Sequence, residues 1–264
     1  MHRISERVLL LWLALCVVSC SVKEDRTQCP CILEVAFMDT EQTENPVTIT
    51  GWGNDSMVFE DCVTVADCRD GYRRSVPRGM LHFGAVQGVA ECGFEGRTVW
   101  IPQGCQCDSL YSFCDYVDCT GETARTAVDF HKQFATVNIL VSSDSFVAED
   151  YSFIVESGTA GIDLLDCKGV AGSFIFQPQV ETDNCLRFRL PRQCDYSLSL
   201  KVEGISGSSV TFPLGAYIQT IGYDWAATDL PDIFITLDIV CGQVSVGVAQ
   251  WEDADSFELS QIEI

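Results

Sequence analysis

Fifteen cysteines are the side chains of this 264-residue chain most able to do chemistry. A thiol can be a nucleophile, a metal ligand or half of a disulfide, and spacing helps to separate these uses. Cys105, Cys107, Cys114 and Cys119 lie close enough in sequence to offer four thiolates. They lack the paired C-x-x-C spacing of zinc ribbons, and beyond the N-terminal segment only His82 and His131 are left to help. No metal site is assigned. Cys29-Pro30-Cys31 and Cys105-Gln106-Cys107 are C-x-C pairs. Residues i and i+2 of a strand face the same way, and bridging them would close a strained ring, so each cysteine needs a partner elsewhere. Cys62 with Cys68, and Cys114 with Cys119, enclose loops short enough for local disulfides, and these two pairs are the expected local bridges. Cys185 and Cys194 do not fit that pattern. The strand between them spans ~17 Å, and three further residues return poorly to within the ~7 Å that a disulfide allows.

Nothing else has the pattern of a catalytic centre. No G-x-S-x-G, phosphate-binding loop or H-E-x-x-H motif occurs. With 38 acidic side chains some carboxylates must lie close together, so a glycosidase-like pair carries no weight. His82 and His131 sit in apolar or mixed strand contexts and read as structural. The chain is therefore read as non-catalytic and without a cofactor. Its net charge of −22 excludes nucleic acid as a partner, because that requires a basic footprint. Apolar residues make up 47%, enough to build a core.

The N-terminus carries an address. Arg3 and Arg7 precede the apolar run from Val8 to Val18, which has the length of a signal-peptide core and is too short to span a membrane. Val17-Val18-Ser19-Cys20 resembles a bacterial lipobox, so residues 1–19 are expected to be removed and Cys20 acylated. Several acyl chains anchor a protein stably. Residues 20–28 then form a lipidated tether. Within it Lys23, Glu24 and Asp25 resemble the export signal that sends Bacteroidetes lipoproteins to the outer face of the outer membrane. Setting aside Cys16 and Cys20 leaves thirteen cysteines, an odd number, in a compartment where disulfides persist.

The elements that must position these side chains read as strands. Leu33 to Phe37, Val137 to Val141, Tyr196 to Glu203 and Ile233 to Cys241 alternate apolar with polar residues, and Val244, Val246 and Val248 follow a hairpin-like link. Gly, Ser, Asp and Pro punctuate the gaps, and no long segment has helical periodicity. Many short strands point to antiparallel sandwiches. A faint echo joins the two halves: Val76-Pro77-Arg78-Gly79 in the first and Leu190-Pro191-Arg192-Gln193 in the second. Two domains of similar plan are expected, at 29–125 and 126–251, divided at the polar stretch around residues 121–127. A tail, 252–264, follows.

The order of motifs resembles a known family, the fimbrillin-A-associated anchor and accessory subunits of Bacteroidetes-type (type V) fimbriae. The resemblance rests on Cys20-Ser21-Val22-Lys23-Glu24-Asp25 with Cys29-Pro30 and on Phe134-Ala135-Thr136-Val137-Asn138-Ile139. It is densest in Pro213-Leu214-Gly215-Ala216-Tyr217-Ile218, Gly222-Tyr223-Asp224-Trp225 and Asp229-Leu230-Pro231-Asp232-Ile233, and it continues at Val244 to Trp251. It departs from the family in its many cysteines. The resemblance implies an all-β fold of two tandem transthyretin-like β-sandwich domains after the lipoprotein signal peptide. It also implies a surface fimbrium, adhesion, and partner subunits joined by β-augmentation. The candidate donor strand is the tail, where Phe257, Leu259, Ile262 and Ile264 alternate with polar residues apart from a slip at Gln261. The tail could equally close its own domain. The alternative reading is a surface glycan-binding lipoprotein of a polysaccharide-uptake system, using Trp52, Trp100, Tyr111, Tyr116 or Trp225 as sugar platforms. Asp55-Ser56-Met57 and Asp108-Ser109-Leu110 resemble O-glycosylation acceptors of the same bacteria.

Overall fold

A computed structural model describes residues 29–38, 46–54, 56–141, 147–181, 183–239, 243–249 and 260–262. The expected signal peptide, the expected tether with Cys20, Lys23, Glu24 and Asp25, and Phe257, Leu259 and Ile264 of the tail lie outside the described residues. The fold is all-β. Among the described residues two short α-helices, α1 (Val65–Asp70) and α2 (Leu214–Thr220), interrupt the strands. The first is held by a reciprocal capping box between Thr64 and Asp67.

The chain begins with β1 (Cys31–Phe37), β2 (Val47–Gly53), β3 (Ser56–Val63), β4 (Tyr72–Val76) and β5 (Met80–Gln87). A hairpin of β6 (Gly93–Glu95) and β7 (Thr98–Trp100) follows, then β8 (Tyr111–Asp118), β9 (Thr123–Val128) and β10 (His131–Lys132). One sheet has the order β4-β1-β9, and a second has the order β10-β8-β5-β2-β3. They share a core that includes Leu33, Val35, Ile49, Phe59, Phe83 and Val117. Alternation explains it: along β1, Cys31, Leu33 and Val35 are buried while Ile32 and Glu34 point outward.

The second sandwich contains β11 (Phe134–Val141), β12 (Tyr151–Asp163), β13 (Lys168–Phe176), β14 (Cys185–Pro191), β15 (Ser199–Gly204) and β16 (Ser209–Phe212). The last strands are β17 (Asp232–Asp238), β18 (Gln243–Ala249) and β19 (Ser260–Ile262). One sheet runs β14-β11-β17-β18-β19 and the other β16-β15-β12-β7-β6, with β13 on β12. The expected alternation holds in β14, where Leu186, Phe188 and Leu190 are buried, and in β17, where Ile233, Ile235 and Leu237 are buried.

The two sandwiches share a plan. In the first, β1 pairs antiparallel with β4 and parallel with β9. In the second, β11 pairs antiparallel with β14 and parallel with β17. The Pro-Arg echo falls at the end of the antiparallel partner both times, at Pro77-Arg78 after β4 and Pro191-Arg192 at the end of β14.

The halves are not cut where the sequence suggested. Strand β9 stays in register with β1 as far as Phe37 opposite Val128, so the first sandwich runs past residue 125. The stretch looked like a linker because β9 is built from small, largely exposed residues. Residues 93–100 belong to the second sandwich instead, where β7 pairs with Gly161–Asp163 of β12.

Candidate functional site

Three regions carry side chains with something to do: the edge of the C-terminal sheet, a clamped loop before β17, and the thiols. At the edge, β18 forms a hairpin with β17, from Asp232 opposite Ala249 to Asp238 opposite Gln243. On its other side it receives β19 antiparallel, with Val244, Ser245 and Val246 opposite Ile262, Gln261 and Ser260. Of the candidate donor residues, Ile262 is thus in a strand on its own chain's sheet. A β-edge of this kind is held by main-chain hydrogen bonds, which any strand of suitable pattern can make.

The densest motifs of the sequence form α2 and the loop that follows it to Pro231, and the buried cation Arg192 secures that loop. Arg192 is only 4% exposed. Its Nε donates to Gln133 Oε1 at 3.1 Å, and Nη1 donates to the carbonyls of Trp225 and Ala227 at 2.6 and 2.7 Å. Nη2 donates to the Thr228 carbonyl at 3.3 Å. The planar guanidinium can reach all four acceptors at once. Next to it Lys132 Nζ meets Asp232 Oδ1 at 2.5 Å, and the Lys132 amide donates to Asp229 Oδ1 at 2.7 Å. The Tyr223 hydroxyl donates to the Pro231 carbonyl at 2.8 Å, and burial pushes its pKa up. These motifs therefore build a scaffold. Arg192, Gln133, His131, Cys167, Cys194 and Trp225 line an open cleft of about 560 Å³ beside it.

The Asp108-Ser109-Leu110 triplet is also committed to structure. Asp108 is buried, and its Oδ2 accepts the amides of Ala90, Glu91 and Cys92 at 2.8, 2.9 and 2.8 Å. Burial alone would raise its pKa, but the amide bonds outweigh it and hold the carboxyl below its ordinary value. Gly88 makes the approach possible. Its φ is +85°, and a Cβ there would sit 2.0 Å from the Ser109 carbonyl oxygen.

The structure pairs neither Cys62 with Cys68 nor Cys114 with Cys119. All twelve described cysteines from Cys29 onward are unbonded. Cys114 lies on β8 and Cys119 just past its end, so extended chain separates them by roughly 17 Å, beyond disulfide reach. Each has a distant neighbour instead. Cys114 Sγ is 3.3 Å from Cys167 Sγ, and Cys119 shares a core with Cys31, where burial and then the nearby Cys31 thiol raise its pKa to about 11. Cys62 is exposed on β3, whereas Cys68 is buried against the core beneath α1. Residues 59 and 63 of β3 point inward and Cys62 points away from Cys68's side of the strand. Burial raises the Cys68 thiol to about 11. Cys92 and Cys107 are both buried in the core of the second sandwich, where burial and then the nearby Cys92 thiol push the Cys107 thiol up. The four clustered cysteines weighed as metal ligands are thus dispersed, three of them onto separate partners. Sequence spacing gave no signal for Cys167.

Among the possible sugar platforms, Trp100, Tyr111 and Trp225 pack against the core, and Trp52 is half-buried. Tyr116 is 66% exposed and stacks on His82 at 4.0 Å between ring centroids.

No family model and no curated protein matches the sequence. Solved structures do. A candidate polysaccharide-binding protein from Bacteroides thetaiotaomicron superposes with a TM-score of 0.64 at 14% identity, covering 88% of this chain and 98% of that one. A candidate adhesin from Bacteroides ovatus gives 0.57 at 13% identity, covering 88% and 96%. The fimbrial anchor protein Mfa2 from Porphyromonas gingivalis gives 0.56 at 13% identity, covering 84% and 98%. At these identities the likeness is one of fold. The fold that the sequence motifs resembled is the fold these Bacteroidetes fimbrial and adhesin-like structures have.

Proposed function

We propose that this chain is a non-catalytic surface lipoprotein, an anchor or accessory subunit of a fimbrium that supports adhesion. In this reading Cys20 carries the acyl chains, Lys23-Glu24-Asp25 routes the protein to the outer face of the outer membrane, and the two sandwiches have the transthyretin-like plan of such subunits. Assembly is by β-augmentation. The observation that carries the proposal is the edge of the C-terminal sheet, where the outermost strand on β18 is the chain's own tail segment Ser260–Ile262. A strand that sits on an edge by main-chain bonds can be exchanged for another subunit's strand, and can itself be given away. The full-length fold shared with Mfa2 supports the fimbrial class.

Removing residues 252–264 tests this. The expected product is a folded, membrane-bound subunit that no longer co-purifies with fimbriae. Fimbriae that still contain the shortened chain at the normal level would show that the tail is not the donated strand. Cys20→Ser separates anchoring from assembly, because it should release the protein from the membrane without altering its fold.

Glycan binding is a second reading, favoured by the description of the B. thetaiotaomicron structure and by the exposed Tyr116 on His82. A glycan array with the intact protein and with Tyr116→Ala addresses it. Binding that the substitution abolishes would favour this reading.

A further inference from the structure

We infer that three thiol pairs far apart in sequence, Cys31 with Cys119, Cys92 with Cys107 and Cys114 with Cys167, are disulfide sites, and that two of them form a covalent shortcut from the membrane tether to the C-terminal sandwich. Cys114 Sγ and Cys167 Sγ are 3.3 Å apart, and Arg78 ties the Cys29 carbonyl, two residues before Cys31, to the Thr120 carbonyl, next to Cys119. Cys31 and Cys119 are fully buried in the core of the first sandwich, and Cys92 and Cys107 are buried in that of the second. A small rotamer change separates the Cys114–Cys167 contact from a bond of ~2.05 Å.

The positions give the bonds their meaning. Cys31 is the first residue of β1, immediately downstream of the tether. Cys119 follows the last residue of β8, and Cys114 lies on β8 itself. Cys167 ends the turn between β12 and β13, in the second sandwich. This turn leans on the first sandwich, since a Cβ on Gly84 of β5 would lie 3.2 Å from Leu165 Cδ2. The Cys114–Cys167 bond would therefore join the two sandwiches side to side. Tension entering at Cys31 would cross to Cys119, run along the end of β8 to Cys114, and cross again to Cys167. The intervening strands of the first sandwich would bear none of it. The mechanical part of this inference rests on Cys20 being the attachment point; the bonds themselves do not.

Each bond forms by exchange. A cysteine thiolate attacks an oxidant's disulfide and releases one oxidant thiolate, and the second cysteine displaces the other. The two cysteine protons go to the two departing thiolates, and the two electrons reduce the oxidant disulfide to two thiols. The oxidant class is a disulfide, protein-borne in an exported setting and glutathione disulfide in the test. Cys167 is suited to attack. Its contact with Cys114, then the Ser112 hydroxyl at 3.5 Å and the nearby Arg192 and His131, bring its pKa down to about 6.

The test uses full-length protein isolated from membranes, alkylated without reductant and digested. The expected result is three crosslinked peptides, 31/119, 92/107 and 114/167, each lost on reduction, with the other seven of the thirteen thiols alkylated. Free thiols at all six positions after treatment with glutathione disulfide, or crosslinks 62/68 or 114/119, would overturn it. Cys167→Ser should remove the 114/167 peptide alone and leave the other two bonds, which guards against a variant that fails to fold. Stretching single molecules from residue 20 to the C-terminus should give an oxidised chain shorter in unfolded length by roughly 450 Å than the reduced one. Equal lengths would refute the shortcut. A confirmed peptide map with protein that is not acylated would refute only the anchor reading.

Discussion

Arg192 occupies in the second sandwich the place that Arg78 occupies in the first. Each follows a proline at the end of the strand antiparallel to the central strand, and each turns its guanidinium onto backbone carbonyls. Arg78 donates to Cys29 O at 2.6 Å and Thr120 O at 2.8 Å, and so ties the start of β1 to the β8–β9 turn. Arg192 ties the 225–228 loop to the sheet. The difference is burial, since Arg192 is hidden and Arg78 is partly in water.

That difference sets the cost of removal. Arg192→Ala removes the donors that hold the 225–228 loop and leaves the buried Gln133 side chain without this partner, and should destabilise the fold by about 2–4 kcal/mol. Arg78→Ala should cost about 1 kcal/mol or less, because water replaces its bonds. Arg192→Lys should recover little, lacking the fork that reaches several acceptors. Urea unfolding midpoints measure all three.

Asp108 makes stability depend on acid. Its folded pKa lies below the unfolded value, so its contribution is fully present above the unfolded pKa of ~3.9 and is lost as pH falls through the folded pKa. Asp108→Asn should cost about 1–3 kcal/mol at neutral pH. It should also flatten the loss of stability below pH ~4, as read from unfolding curves across that range.

In reduced protein the Cys114–Cys167 pair should share out reactivity unequally. Cys167 should alkylate with a midpoint near pH about 6, while Cys114, whose pKa is raised by the same contact, stays protonated. Peptide mass spectrometry after pulses of iodoacetamide at several pH values resolves the two sites. Ser112→Ala should move the Cys167 midpoint upward.

The edge on β18 should be sensitive to proline. Gln261 lies opposite Ser245, and Gln261→Pro removes an amide and fixes φ in a strand three residues long. Under the proposed strand-exchange assembly, fimbrial incorporation should fall as far as in the tail deletion, with the urea midpoint of the rest of the protein unchanged. Size-exclusion of crosslinked surface fractions reports the first, and equilibrium unfolding the second.

The strands that alternate were legible in sequence because each buries one face. Leu186-Phe188-Leu190 and Ile233-Ile235-Leu237 needed no partner to be recognised. The Pro-Arg echo was visible, but its meaning required the parallel pairings of β1 with β9 and β11 with β17, which sequence does not encode locally. The thiol pairs were hidden for the same reason. Local spacing suggested Cys114 with Cys119, whereas strand geometry points them to Cys167 and Cys31, far away in the chain. The Gly-Tyr-Asp-Trp motif stood out as a pattern, yet only Arg192 reveals that it is a scaffold.

The β6–β7 hairpin imposes an order on folding. A chain that emerges N-terminus first presents β7 long before residues 161–163 of β12, the strand it must pair with. Until β12 emerges, Val99 and Ile101, both buried in the finished fold, have nowhere to go. The two halves are thus interdependent in folding, and the hairpin stays without its partner strand until about the first 163 residues have emerged.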